Sequence, residues 1–255
     1  MDIAYTYFKD PAKQVQKQES FEAFLEKQDS IAAGKVPGEP IKTSNGYKLV
    51  TAYGLFHVSA GNTKVNFPTI NLESGLSCSS RKQCGFDFQN KRDGKSKKPL
   101  CYAQKLEGSR PAMFNAKLYQ AAVAERISGN ASVEEMEDIS KSITEIVDYL
   151  GRDRFVRFSE VGDIGPQVAD FAHVLIKTLV AAGKSPYLYT KRPDIEQEAL
   201  RAAGATVVIS ETDFVVVNNE QEAKDLNLPV CPSVCGGPGG CFRCPLGKKS
   251  AVIKH

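Results

Sequence analysis

Seven cysteines are the residues in this chain best suited to do chemistry, and they fall into two groups. Cys78, Cys84 and Cys101 form the first; Cys231, Cys235, Cys241 and Cys244 form the second, with none between. An odd number cannot all pair as disulfides, and buried structural cysteines usually sit singly inside apolar segments. These lie among Ser, Gly, Pro, Lys and Arg, a setting that favours thiolates and metal ligation. The second group, CPSVCGGPGGCFRCP, brings four soft ligands within fourteen residues. A [4Fe–4S] cluster and a tetrahedral zinc both suit that set. The glycines between the ligands permit tight turns and let backbone amides approach metal-bound sulfur. Pro245 directly after Cys244 matches the Cys-Pro ending of ferredoxin-type runs. Its plainest role is a metal staple for the C-terminal segment.

The first group supplies only three thiolates, and no histidine lies near it in sequence: the chain has His57, His173 and His255 alone. Structural zinc takes four protein ligands. A [4Fe–4S] cluster held by three cysteines keeps one iron open for a substrate or cofactor, which makes this group the candidate for chemistry. The alternatives are a zinc completed by a borrowed ligand and unligated thiols in a surface loop.

The elements that position these groups follow from periodicity. Asp10-Pro11 opens a helix, with Val15, Phe21, Phe24, Leu25 and Ile31 as its apolar stripe up to Gly34. Residues 36–45, with Pro37, Gly38 and Pro40, read as a linker. Tyr47 to Ser59 alternates as a strand or hairpin, and Lys64 to Leu72 gives a short strand that runs into the first cysteine loop. Helices are expected from Pro111 to Ser128 and from about Ser132 to Leu150. The second of these has Ser132 and Glu135 spaced as a capping box. Beyond them strands at Arg154–Ser159, Ser185–Thr190 and Ala205–Ser210 alternate with helices at Gly165–Ala182 and Pro193–Ala203, and Phe214–Val217 adds a further apolar strand. Such alternation predicts βαβ units and a parallel sheet. The expected fold is α/β: a partial (β/α) TIM-type barrel over residues 64–225, an N-terminal helical and β extension over 1–63, and a C-terminal metal-binding segment over 226–255.

Ligands of parallel α/β folds bind at the carboxyl ends of the strands. All four predicted ends carry polar or ligating residues: Cys78 after the first strand, Ser159, Glu160 and Asp163 after the second, Lys191 and Arg192 after the third, Glu211 with its neighbours Ser210, Thr212 and Asp213 after the fourth. Taken singly, each reads as a solvated turn; in register they read as a cofactor site. Glu160 or Asp163 suits an amino group, Lys191 or Arg192 a carboxylate or phosphate. Between Cys78 and Cys101, residues 81–98 hold seven Lys or Arg against two Asp, a local charge of +5. That loop is a solvated insertion or a contact for phosphate or nucleic acid.

The run SGLSC, then CYAQK, RPAMFN, VRFSEVGD and YLYTKR, followed by the cysteine-rich C-terminus, resembles the gene product 88 family of phages, plasmids and some microbial genomes, over about residues 66–245. Its sharpest pieces are Cys101-Tyr102-Ala103, Arg110 with Asn115, and Ser159 to Asp163. At the level of layout the chain also resembles a reduced radical S-adenosylmethionine enzyme. That resemblance implies an open cluster on Cys78, Cys84 and Cys101, contact of Glu160 or Asp163 with the methionine amino group, and an auxiliary cluster on Cys231 to Cys244. An electron-donor protein would be its partner. The CxxxCxxC motif of such enzymes is absent, and the Cys84-to-Cys101 spacing is long, as if the basic loop had been inserted.

Composition limits the remaining choices. With 255 residues, 42% hydrophobic and 25% charged, the chain is an ordinary globular one. A net charge of +3 is too small for a dedicated nucleic-acid coat. No apolar run is long enough to span a bilayer. The N-terminal MDIAYTYFKDP lacks the form of a secretory leader, so a cytoplasmic protein without membrane partners is expected. Two functions follow as expectations: a radical-SAM-like iron–sulfur enzyme, or a metal-stabilised (zinc or iron–sulfur) module that binds nucleic acid or carries electrons without catalysis.

Overall fold

The structure is a computed structural model that describes residues 11–61, 67–74, 78, 110–151, 154–158, 163–190, 195–209, 214–217, 219–228, 230 and 250–253. Helix α1 (Pro11–Ala33) leads into three antiparallel strands, β1 (Pro40–Thr43), β2 (Gly46–Thr51) and β3 (Gly54–Ser59). Then come β4 (Thr69–Ile70), helices α2 (Pro111–Asn130) and α3 (Val133–Leu150), and β5 (Phe155–Phe158). A single 3₁₀ turn at Pro166–Val168 precedes α4 (Ala169–Ala181), followed by β6 (Ser185–Thr190), α5 (Ile195–Ala202) and β7 (Thr206–Ile209).

These seven strands form one sheet in chain order, β1-β2-β3-β4-β5-β6-β7. It is antiparallel from β1 to β4 and parallel from β4 to β7. The sheet is open, with no pairing between β1 and β7. A second, two-stranded parallel sheet joins β8 (Phe214–Val217) to β9 (Ser250–Ile253), and a short helix α6 (Glu220–Asp225) follows β8.

Register fixes which residues share a face. Ile70, Phe158, Leu188 and Val207 align on one face, with Leu49, Phe56 and Val58 of the hairpin continuing it. That face is the apolar core: Phe56 meets Phe171 of α4 edge to face at 5.6 Å, and Tyr47 meets Tyr149 of α3 in the same way at 5.4 Å. The opposite face carries Lys48, His57, Thr69, Arg157 and Tyr187. Over the hairpin it is covered by α1, from which Gln28 accepts a hydrogen bond from Lys48 Nζ at 2.6 Å. One continuous core runs from Phe21 of α1 to Val207 of β7, so the N-terminal helix and hairpin share the sheet and the core of the βα units.

Two expectations need correction. The segment read as a linker contains β1: Pro40 is its first residue and β1 is the sheet's outer strand, where a missing N–H leaves no ladder bond unmade. The stripe of α1 narrows to Phe21, Phe24 and Leu25, while Val15 and Ile31 are exposed. The capping box at α3 is formed as expected: Ser132 Oγ accepts from Glu135 N–H at 3.2 Å and Glu135 Oε2 accepts from Ser132 N–H at 2.8 Å.

Helix α2 has an unusual duty. Strand β4 is two residues long, so beyond it the edge of β3 would be left without a partner. Gln120 supplies one: its Oε1 accepts from His57 N–H at 2.7 Å and its Nε2 donates to His57 O at 3.3 Å, imitating a neighbouring strand with a side-chain amide. Tyr119 Oη accepts from Leu55 N–H at 3.0 Å and donates to Asp29 Oδ1 at 3.0 Å. Asp29 in turn pairs with Arg126 at 3.0 Å, tying α1, α2 and the hairpin together.

Candidate functional site

Because β4 to β7 are parallel and adjacent, their carboxyl ends lie along one edge of the sheet. The chain segments that leave this edge carry the candidate residues. Cys78 follows β4 and is half-buried. Asp163 follows β5 and is 4% exposed. Ser159, Glu160, Lys191, Arg192 and Glu211, together with Cys84, Cys101, Cys231, Cys235, Cys241, Cys244 and the basic loop 81–98, lie outside the described residues.

Asp163 is held by a small polar network. Its Oδ2 accepts from the Thr190 hydroxyl at 2.6 Å, and its Oδ1 accepts from Ile164 N–H at 3.0 Å. Thr190 is the last residue of β6 and is 2% exposed, so this carboxylate braces the end of β5 against the end of β6. A second carboxylate, Glu73, stands beside it just after β4. Glu73 is 1% exposed; it accepts from the side-chain amide of Gln167 and, at 3.4 Å, from Asp163 N–H. Asn71 and Ser74 are buried on the same stretch. The edge is therefore lined by buried polar groups from three successive strand ends. Burial of carboxylates is costly unless they are hydrogen-bonded, which both are.

Sequence reasoning selected Asp163 and missed Glu73 and Thr190. Glu73 directly follows the strand expected to end at Leu72, and Thr190 is the last residue of the strand expected at Ser185–Thr190. The available signal was position: each lies at the carboxyl end of a parallel strand, as Asp163 does.

On the face away from the core, Arg157 of β5 aligns with Thr69 and Tyr187. Among the described residues its buried Nε has no hydrogen-bond partner. A buried guanidinium nitrogen without an acceptor suits an anionic or carbonyl oxygen approaching from that face. Among the described residues, no three His, Cys, Asp or Glu side chains converge as a metal site. Among the described residues, no helix is long and apolar enough to cross a membrane. A comparison of the chain with protein-family models, curated proteins and solved structures finds no match.

Proposed function

We propose that the protein is an iron–sulfur enzyme of radical-SAM-like chemistry, with an open [4Fe–4S] site on Cys78, Cys84 and Cys101 and a second cluster on Cys231, Cys235, Cys241 and Cys244. The observation that supports this reading is the chain-ordered parallel run β4-β5-β6-β7, whose strands are followed in sequence by Cys78, Glu160, Lys191 and Glu211. The same order, with consecutive parallel strands neighbouring one another in the sheet, supports a partial TIM-type barrel over residues 64–225. In that barrel the face bearing Arg157 and Tyr187 is the interior. The resemblance to the gene product 88 family is consistent with both.

In this reading Cys78, Cys84 and Cys101 would hold the cluster, which would supply a single electron for reductive cleavage of the sulfonium C–S bond of S-adenosylmethionine. Glu160 accepts from the methionine amino group. Lys191 or Arg192 pairs with its carboxylate. Asp163, bonded to Thr190 and Ile164, positions the loop that carries Ser159 and Glu160. The Nε of Arg157 is a donor for an oxygen of the bound molecule. An electron-donor protein reduces the cluster in the cell.

The test is anaerobic reconstitution with iron and sulfide, metal analysis, and a cleavage assay with dithionite and S-adenosylmethionine. The expected result is a brown protein that releases methionine and 5′-deoxyadenosine, with both lost in Cys78→Ala. Zinc in place of iron, or a reduced-cluster spectrum unmoved by S-adenosylmethionine, overturns the reading. A second reading, a metal-stabilised nucleic-acid module, is favoured only by the +5 charge of residues 81–98. It requires salt-dependent RNA or DNA binding that is lost when Lys95, Lys97 and Lys98 become Glu.

A further inference from the structure

Beside the sheet's outer strand, β1, β2 and the second half of α3 enclose a cavity of about 380 Å³. Both stretches that build it, residues 36–51 and 133–151, are described throughout. On α3, Ser142, Glu145, Ile146 and Tyr149 recur at the spacing that puts side chains on one helix face, and all four line the cavity. Across from them, Tyr47 and Leu49 are two apart on β2 and so share a face, with Pro40 of β1 opposite Leu49. Leu49 and Ile146 are buried and give the cavity an apolar base. The rings of Tyr47 and Tyr149 meet edge to face at 5.4 Å with an interplanar angle of 89°, so they form two walls at a right angle. Tyr149 is 76% exposed, more than any other large hydrophobic residue among the described ones, which leaves much of an aromatic surface facing water.

The charge beside this aromatic corner is negative. Glu145 lies one helical turn before Tyr149 on the same face of α3. Among the described residues it takes part in no ion pair or side-chain hydrogen bond; Lys141 and Lys184 are bonded to Asp138 and Asp148 instead. Helix α3 carries six Asp or Glu against one Lys, with no basic residue in its last turn, where the helix dipole is itself negative. Lys42, the neighbour of Tyr47 in the register, is exposed and is not among the described residues that line the cavity. Aromatic faces attract a cation through their quadrupole, and a carboxylate beside them adds the opposing charge. A primary ammonium is a poor guest, because it exchanges water for three hydrogen-bond acceptors and most of this wall is carbon. An ammonium whose hydrogens are replaced by methyl groups carries its charge on a carbon shell that fits against rings and aliphatic side chains alike. The volume lies at the lower end of the range of small-molecule sites, roughly 300–1,000 Å³. We propose that this cavity binds a small organic cation through a fully alkylated ammonium group, with Tyr47 and Tyr149 against its methyl groups and Glu145 beside its charge.

Proton NMR titration of the full chain at constant ionic strength, without added iron, tests this. Choline is the probe, compared with ethanolamine, its primary-amine counterpart, and with its neutral tert-butyl analogue, in which carbon replaces nitrogen. Choline is expected to bind at one site, its methyl signal shifted upfield by the rings, and at least about tenfold more tightly than either comparison compound. Tyr149→Ala, at an exposed position, weakens choline by about tenfold or more, whereas Tyr149→Phe stays within about twofold, because the ring and not the hydroxyl meets the cation. Glu145→Gln weakens choline by about threefold or more and leaves the tert-butyl analogue unaffected. Circular dichroism confirms that each variant is folded. Absence of saturable choline binding, either comparison compound binding as tightly as choline, choline affinity unmoved by Tyr149→Ala or by Glu145→Gln, or Tyr149→Phe as damaging as Tyr149→Ala overturns the proposal.

Discussion

His57 makes stability depend on pH in a defined window. Its folded pKa is near 4 and the ordinary histidine value is 6.5. Between those values the unfolded chain holds a proton that the folded imidazole does not. Its contribution to stability is therefore complete above pH 6.5, declines as pH falls toward 4, and changes no further below that. A shift of this size corresponds to at most about 3 kcal/mol. Urea unfolding from pH 4 to 7 should show the decline in the wild type and a flatter profile in His57→Gln. Thr190 makes the second residue-scale case. Its hydroxyl donates to buried Asp163, so Thr190→Val leaves a carboxylate oxygen short of a donor inside the protein. The expected loss is about 1–3 kcal/mol, read from denaturant midpoints. Asp163 was legible as a candidate because it follows a strand in a run of Ser, Glu and Asp. Its tie to Thr190 was not, because that contact joins residues from two strands and depends on their register.

At the scale of elements, α2 substitutes for missing strand. Gln120→Leu keeps the helix and its volume but removes both bonds to the His57 backbone. Leaving that N–H and C=O buried without partners should cost about 1–3 kcal/mol. Hydrogen exchange at the His57 amide should accelerate, while amides at the far end of α2 should not change. The helices and strands of the βα units were readable because their signals are local: Ser132 and Glu135 form the capping box their spacing announces, and Ser185 to Thr190 is a strand at the expected limits. Gly204, just past the end of α5, has a φ of +101°, a conformation suited to glycine at that place. What sequence did not reveal depends on distant partners. Pro37, Gly38 and Pro40 suggest a linker until β2 is placed beside Pro40. Strand β9 has only Ala251, Val252 and Ile253 as its signal, and it exists by pairing with β8 more than thirty residues earlier in the chain.

At the scale of the molecule, the core runs through α1, the hairpin, α2 to α5 and β4 to β7, and no cysteine is among its described residues. A core of that extent differs from that of small metal-folded domains, which unfold when the metal leaves. Stripping the metal with a chelator should abolish the colour and chemistry of the proposed clusters yet retain the helical circular-dichroism signal. The cooperative thermal transition should survive as well. Loss of that transition on chelation would mean that the cysteine groups are needed for the core after all. The direction of β4 to β7 was legible from alternating periodicity, whereas the continuation of the same sheet into an antiparallel hairpin was not, because the pairing of β4 with β3 rests on register between the two strands.

The chain-ordered sheet also bears on how the protein is made. Each new strand from β2 to β7 adds beside the strand completed just before it, with no need to reserve a gap for later sequence. The hairpin, made before the βα units, can act as a template, and each later strand extends a growing edge, with the longest closure between β4 and β5 and shorter ones from β5 to β7. Synthesis and folding can thus proceed in the same direction, leaving the last cysteines to meet a scaffold already built.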